Sequence, residues 1–211
     1  MPDNKTIGET RRMVVGITGA SGALYSKRLI GLMVEAGVEV HLVVSPLGQR
    51  LLHDELGMEG IDLDVLAGRE DHGVVLHHYR DVGAPIASGS FEHDGMVVLP
   101  CSNHSMAAMA NGLCENLLHR AANVTLKERR PLVVVHREMP LGLIEIRNME
   151  RLTEAGAVLA PANPGFYMLP QTIDDLVDFV VGKVLDLLKV EHSLHVRWTE
   201  SAANHRAGKG E

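Results

Sequence analysis

Only two cysteines are present, Cys101 and Cys114, and they form neither a CxxC pair nor a cysteine-rich framework. A disulfide scaffold and a cysteine-ligated zinc site are set aside, and reduced thiols are expected. No apolar run reaches the roughly 18 residues needed to span a bilayer, and the start MPDNKTIGETRR lacks the apolar segment of a signal peptide. A cytoplasmic protein without membrane contact is the expectation. Positive charge is in deficit too: 20 Lys and Arg face 27 Asp and Glu, for a formal net charge of -7. Nothing in that balance draws the chain to nucleic acid. The 12 histidines include no HExxH, no HxH and no Cys/His cluster at ligand spacing, so no metal is expected. Aromatics make up 3% of the chain, which gives weight to any loop that holds two of them.

What is there fits one globular domain, because 211 residues with 45% hydrophobic content can bury one sizeable core. Five apolar, β-branched-rich runs stand out: Met13 to Thr18, Val38 to Val44, Met96 to Leu99, Leu132 to Val135 and Ala157 to Leu159. They are continuous rather than alternating, as in strands of a parallel sheet covered on both faces. Helical stretches lie between them, the first with Tyr25, Leu29, Leu32 and Ala36 on one face. The alternation predicts a doubly wound α/β fold, flavodoxin-like or Rossmann-like, with ligands beyond the carboxyl ends of the strands. The segment from Gly57 to Glu92 is glycine- and charge-rich without a clear period and reads as a long excursion between strands. Residues 1–11 and 199–211 have the composition of flexible ends, which leaves 12–198 as the domain.

The first strand runs into Gly16-Ile-Thr18-Gly19-Ala20-Ser21-Gly22-Ala23 and then a helix. Strand, glycine-rich turn and helix start present backbone N–H groups and a positive dipole end to an anion, the arrangement for a phosphate. A tight βα turn with no ligand would carry the same glycines. The spacing is neither GxGxxG nor GxxxxGK[ST], and the second strand ends in Val44-Ser45-Pro46 rather than in the acidic residue that binds a dinucleotide ribose. A hydroxyl there suits a mononucleotide such as FMN.

Two further regions carry chemistry. Leu126-Lys127-Glu128-Arg129-Arg130-Pro131 precedes a strand that ends in His136-Arg137-Glu138-Met139-Pro140. A cation beside a carboxylate at the carboxyl end of a buried strand lies where an α/β active site belongs, whereas Arg129 and Arg130 read as solvated charges. The loop from Pro161 to Pro170 holds Phe166 and Tyr167, either as contacts for a flat or apolar ligand or as anchors of the loop itself. His104 and His136 flank these strand ends as candidates to support the site.

Taken in order, Gly16-x-Thr18-Gly19-Ala20-Ser21-Gly22-Ala23, Ala87-Ser88-Gly89-Ser90, Pro100-Cys101-Ser102, Leu126 to Leu132, Arg137-Glu138-x-Pro140 and Pro164-Gly165-Phe166-Tyr167-x-x-Pro170 resemble the UbiX/Pad flavin prenyltransferases. The resemblance runs from Met13 to Trp198. It implies a flavodoxin-like homo-oligomer, dodecameric in the family, with FMN and dimethylallyl phosphate meeting at subunit interfaces. The product, prenylated FMN, would pass to a UbiD-type decarboxylase. By the same resemblance Gly19, Ala20, Ser21, Gly22, Ser45, Ser88, Ser102, Ser105 and Arg120 would contact FMN, with Ser21 also near the reacting nitrogen. Lys127, Arg137, Tyr167 and Lys183 would clamp the dimethylallyl phosphate, Trp198 would cover the prenyl pocket and Glu55 would reach a neighbouring subunit. Glu138 would be the acid/base residue, and no metal is implied.

The chain departs from the family at Lys183, where some members have arginine, and at Asn103-His104-Ser105-Met106, where a Thr-Leu step is usual. Two other readings share the glycine-rich loop. An FMN-dependent decarboxylase of the phosphopantothenoylcysteine type leaves Lys127, Arg137, Glu138 and Tyr167 without a common task. A flavin carrier without catalysis would not need Glu138.

Overall fold

The structure, a computed structural model, describes residues 10–194. The ends expected to be flexible lie outside this range apart from Thr10 and Arg11, and so does Trp198. Arg11 is tied down: its guanidinium donates to the Leu188 carbonyl at 3.0 Å and to that of Lys189.

Six strands form the sheet: β1 (Arg12–Ile17), β2 (Glu39–Val44), β3 (Val74–His77), β4 (Gly95–Cys101), β5 (Leu132–His136) and β6 (Val158–Leu159). All pairings are parallel and the order is β3-β2-β1-β4-β5-β6. Helices α1 (Ala23–Glu35), α2 (Pro46–Leu56), α3 (Leu63–Ala67), α4 (Asn103–Ala110), α5 (Leu117–Lys127), α6 (Leu143–Glu154) and α7 (Ile173–Leu187) cover both faces. Successive strand residues point to opposite sides. Met13, Val15 and Ile17 join a core with α1, α2, α3 and α7, and Val14 joins a second core with α4, α5 and α6. Double coverage explains the continuous apolar runs, each buried Val or Leu contributing about 1.5–3 kcal/mol. Among the described residues no helix is long and apolar enough to cross a membrane.

The segment between Gly57 and Glu92 departs from expectation: it holds α3, β3 and a short 3₁₀ helix at Pro85–Ala87 rather than a featureless excursion. Asp62 caps α3 by accepting from Val65 N–H at 3.0 Å, and Gly68 ends it at φ 73°. β3 is an edge strand with Val75 and Leu76 exposed, so it lacks the long apolar run that marks a central strand.

The strand order reverses between β1 and β4, which places a ligand crevice beyond their carboxyl ends. The glycine-rich loop leaves β1 there, and the Pro100-Cys101-Ser102 turn leaves β4 beside it. Pro100 has no N–H to give the ladder, and the β4–β5 register shifts between Val98 and Cys101. Its carbonyl faces the loop, accepting from Thr18 N–H at 3.2 Å.

Candidate active site

Thr18, only 1% exposed, joins these two turns. Its hydroxyl donates to the Pro100 carbonyl at 2.8 Å and accepts from Ser102 N–H at 2.7 Å. Ser102 in turn caps α4, accepting from Ser105 N–H at 3.4 Å. On the other flank Ser45 caps α2, accepting from Gly48 N–H at 3.0 Å while its own N–H donates to Ile17 O at 2.9 Å. The Ser45 hydroxyl keeps its proton free to donate to a ligand. Gly19 is required by close approach: a Cβ there would lie 2.4 Å from Leu47 Cβ. Gly22 is required by its backbone, at φ 135°.

The first N–H groups of α1 already hold an anion. The Glu55 carboxylate, from α2, accepts from Gly22 N–H at 3.1 Å and from Ala23 N–H at 2.8 Å. A residue expected to serve a neighbouring subunit is thus engaged within its own chain. The contact also establishes that the loop presents donors to negative charge, as a phosphate or flavin oxygen would need.

At the end of β5, Glu138 is exposed and bound through both oxygens. Asn103 Nδ2 donates to Oε2 at 2.9 Å and Met139 N–H donates to Oε1 at 3.1 Å. The same Asn103 reaches His136 Nε2 at 2.6 Å. Burial lowers the pKa of His136 and keeps it neutral, although Glu138 and Glu145 pull the other way. Arg137 N–H donates to Cys101 O at 3.3 Å, placing the adjacent cation beside the β4 turn. Burial pushes the Cys101 thiol far up and leaves it inert.

A second group of expected residues lines α5. Arg120 Nε donates to Ala87 O at 3.1 Å, next to Ser88, whose hydroxyl lies 2.8 Å from that of Ser90. Arg130 is not the solvated charge expected: it grips Phe91 O at 2.7 Å and Gly89 O at 2.9 Å, pinning the Ser88 loop along the helix. Lys127 pairs with Glu128 at 2.8 Å beside Gly89. Ser105 is buried, its hydroxyl 3.4 Å from His119 Nε2.

The fold does not bring all of these side chains to one place within a chain. Lys127 ends α5 and precedes β5, while Glu138 follows it, so the length of the strand, roughly 16 Å, separates them. Lys183 is exposed on α7, about 15 Å along the helix from its first residue, Ile173. Tyr167 lies beyond β6 with its ring edge-on to Phe179 at 5.5 Å. A groove of about 800 Å³ among α1, α3 and α7 contains none of the expected flavin or phosphate residues. Exposed apolar side chains flank the site instead: Met139, Leu143 and Ile144 on one side, Phe166, Leu169 and Ile173 on the other. Among the described residues no group of His, Cys, Asp and Glu is placed to hold a metal.

Comparison with known proteins decides the family. A flavoprotein family model matches residues 3–185. Flavin prenyltransferase UbiX of Halalkalibacterium halodurans is 48% identical over 195 residues, covering 90% of this chain and 95% of the relative. The chain belongs to the UbiX flavin prenyltransferases. UbiX structures share its fold. AnUbiX, crystallised in complex with FMN and dimethylallyl pyrophosphate, superposes with a TM-score of 0.83 at 40% identity, over 90% of this chain and 98% of that one. A dodecameric FMN-dependent UbiX-like decarboxylase from Escherichia coli O157:H7 gives 0.81 at 41%, over 89% and 99%. Around the candidate site, the contacts of Asn103 and the internal contact of Glu55 were not legible from sequence. The one sequence signal for Asn103 is its place directly after the Ser102 cap at a strand end.

Proposed function

We propose that this chain joins the dimethylallyl group of dimethylallyl phosphate to reduced FMN, at N5 and C6, and that the prenylated FMN serves a UbiD-type decarboxylase. The observation that carries the reading is Glu138: a carboxylate held at both oxygens and exposed beside Arg137 at the carboxyl end of β5, on the same side of the sheet as the glycine loop whose Gly22 and Ala23 N–H groups hold the Glu55 carboxylate. Reduced FMN supplies the nucleophilic nitrogen and ring carbon when bound.

The Gly19 to Gly22 loop, Ser45 and Ser102 would hold the flavin through backbone N–H and hydroxyl donors, and Arg120 with Ser88 would fix its far end. Arg137 would stabilise charge on the departing phosphate by charge-assisted hydrogen bonds. Glu138, as the acid/base residue, would give a proton to the allyl double bond and take back the one released from C6 when the second bond closes. Lys127 lies at the opposite end of β5 from Glu138 in its own chain, which supports a site completed by neighbouring copies. The apolar patches at Met139 to Ile144 and Phe166 to Ile173 are suited to such contacts. A homo-oligomer, dodecameric as in the Escherichia coli relative, follows from this reading. Trp198 lies outside the described residues, and its part in covering the prenyl group remains with the proposal.

Phosphorus NMR of an anaerobic mixture with dimethylallyl phosphate tests this directly. Inorganic phosphate should appear only when reduced FMN is present. Release without flavin, or none with it, would overturn the assignment.

A further inference from the structure

Asn103 sits between Glu138 and His136 and touches both. A carboxylate can only accept hydrogen bonds, so the amide NH₂ faces Glu138 Oε2 and the amide oxygen faces His136 Nε2. The ring must therefore carry a proton on Nε2. Asn103 is itself held in place as the first residue of α4, directly after the Ser102 cap whose N–H is bound by Thr18. His136 is buried at the end of β5.

We propose that Asn103 is a positioning residue for Glu138: anchored by His136, it aims the carboxylate for proton transfer. The proposal rests on the acid/base reading of Glu138. Donation to the charged form of an acid lowers its proton affinity, and an amide donor has no titration of its own. The donor therefore persists across the working pH range. The other charged or titratable groups near this contact are Arg137 directly after β5, Glu145 on α6 and His104 on α4, whose ring leans towards His119. None of these makes the contact to Oε2 that Asn103 makes.

The experiment measures single-turnover product formation against pH for the parent, Asn103→Asp, Asn103→Leu and Glu138→Gln, each checked for folding by thermal melting. Asn103→Asp keeps the shape but replaces the donor with a second carboxylate. Its acid limb should move up by about one pH unit or more. Asn103→Leu, which removes the donor without adding charge, should shift less in the same direction. Titration of the substrate phosphate is common to all variants and cancels in the comparison.

Lower rates with the acid limb unmoved in both Asn103 variants would overturn the proposal and leave only a structural role. Should Asn103→Leu fail to fold, the near-isosteric Asn103→Asp profile decides alone. Glu138→Gln separates the two layers. If it retains the parent rate, the acid/base reading itself has failed and the proposal with it. If it is inactive while the Asn103 limbs match the parent, only the proposal falls.

Discussion

Thr18 joins the two turns of the site, and replacing it with valine isolates that join. The change preserves shape but removes a hydroxyl that donates to Pro100 O at 2.8 Å and accepts from Ser102 N–H at 2.7 Å. Pro100 O keeps a second partner, Thr18 N–H at 3.2 Å, whereas Ser102 N–H loses its Thr18 acceptor. One lost bond and one stranded donor together cost about 2–4 kcal/mol. At about 2–4 °C per kcal/mol for a domain of this size, the melting temperature should fall by roughly 4–16 °C. The α4 start would also move away from the glycine loop, weakening FMN binding. Thermal melts at one fixed subunit concentration, with Thr18→Ser as the hydroxyl-retaining control, measure the first effect. Flavin fluorescence titration measures the second. A valine variant that melts and binds FMN like the parent would refute the idea that this hydroxyl holds the site together.

Other outcomes follow from the same geometry. Gly19→Ala must push Leu47 away from a Cβ 2.4 Å distant, so it should destabilise by about 1–3 kcal/mol and lose FMN affinity in the same fluorescence titration. Arg130→Ala releases Gly89 and Phe91 carbonyls, and a faster amide exchange of residues 88–91 with weaker flavin binding is expected. Burial depresses His93 and His119 to about 4, below the value of about 6.5 in the unfolded chain. The unfolded chain therefore binds more protons between these values, and stability should fall as pH drops from 6.5 towards 4. Urea midpoints against pH should show this slope, and His119→Gln should flatten it.

The sheet was legible wherever strands are covered on both faces, because burial there demands the continuous apolar runs at β1, β2, β4 and β5. β3 escaped notice because an edge strand with Val75 and Leu76 exposed needs no such run. The glycine loop was legible in its spacing, and Gly19 and Gly22 meet the steric reasons that glycine implies. Side-chain partners were not. Arg130 looked like part of a solvated charge run, but its targets are backbone carbonyls 39 and 41 residues away in sequence. Glu55 finds Gly22 and Ala23 only because α2 packs beside the start of α1. Sequence order likewise hides that α5 runs back along the sheet and carries Lys127 to the end of β5 opposite Glu138.

Mass spectrometry of flavin recovered after anaerobic incubation of the full chain with reduced FMN and dimethylallyl monophosphate tests the central claim most directly. The expected result is a flavin heavier by one five-carbon unit, formed about 10²–10⁴-fold more slowly when Glu138 is replaced by glutamine. FMN recovered at its original mass from the parent protein would contradict it.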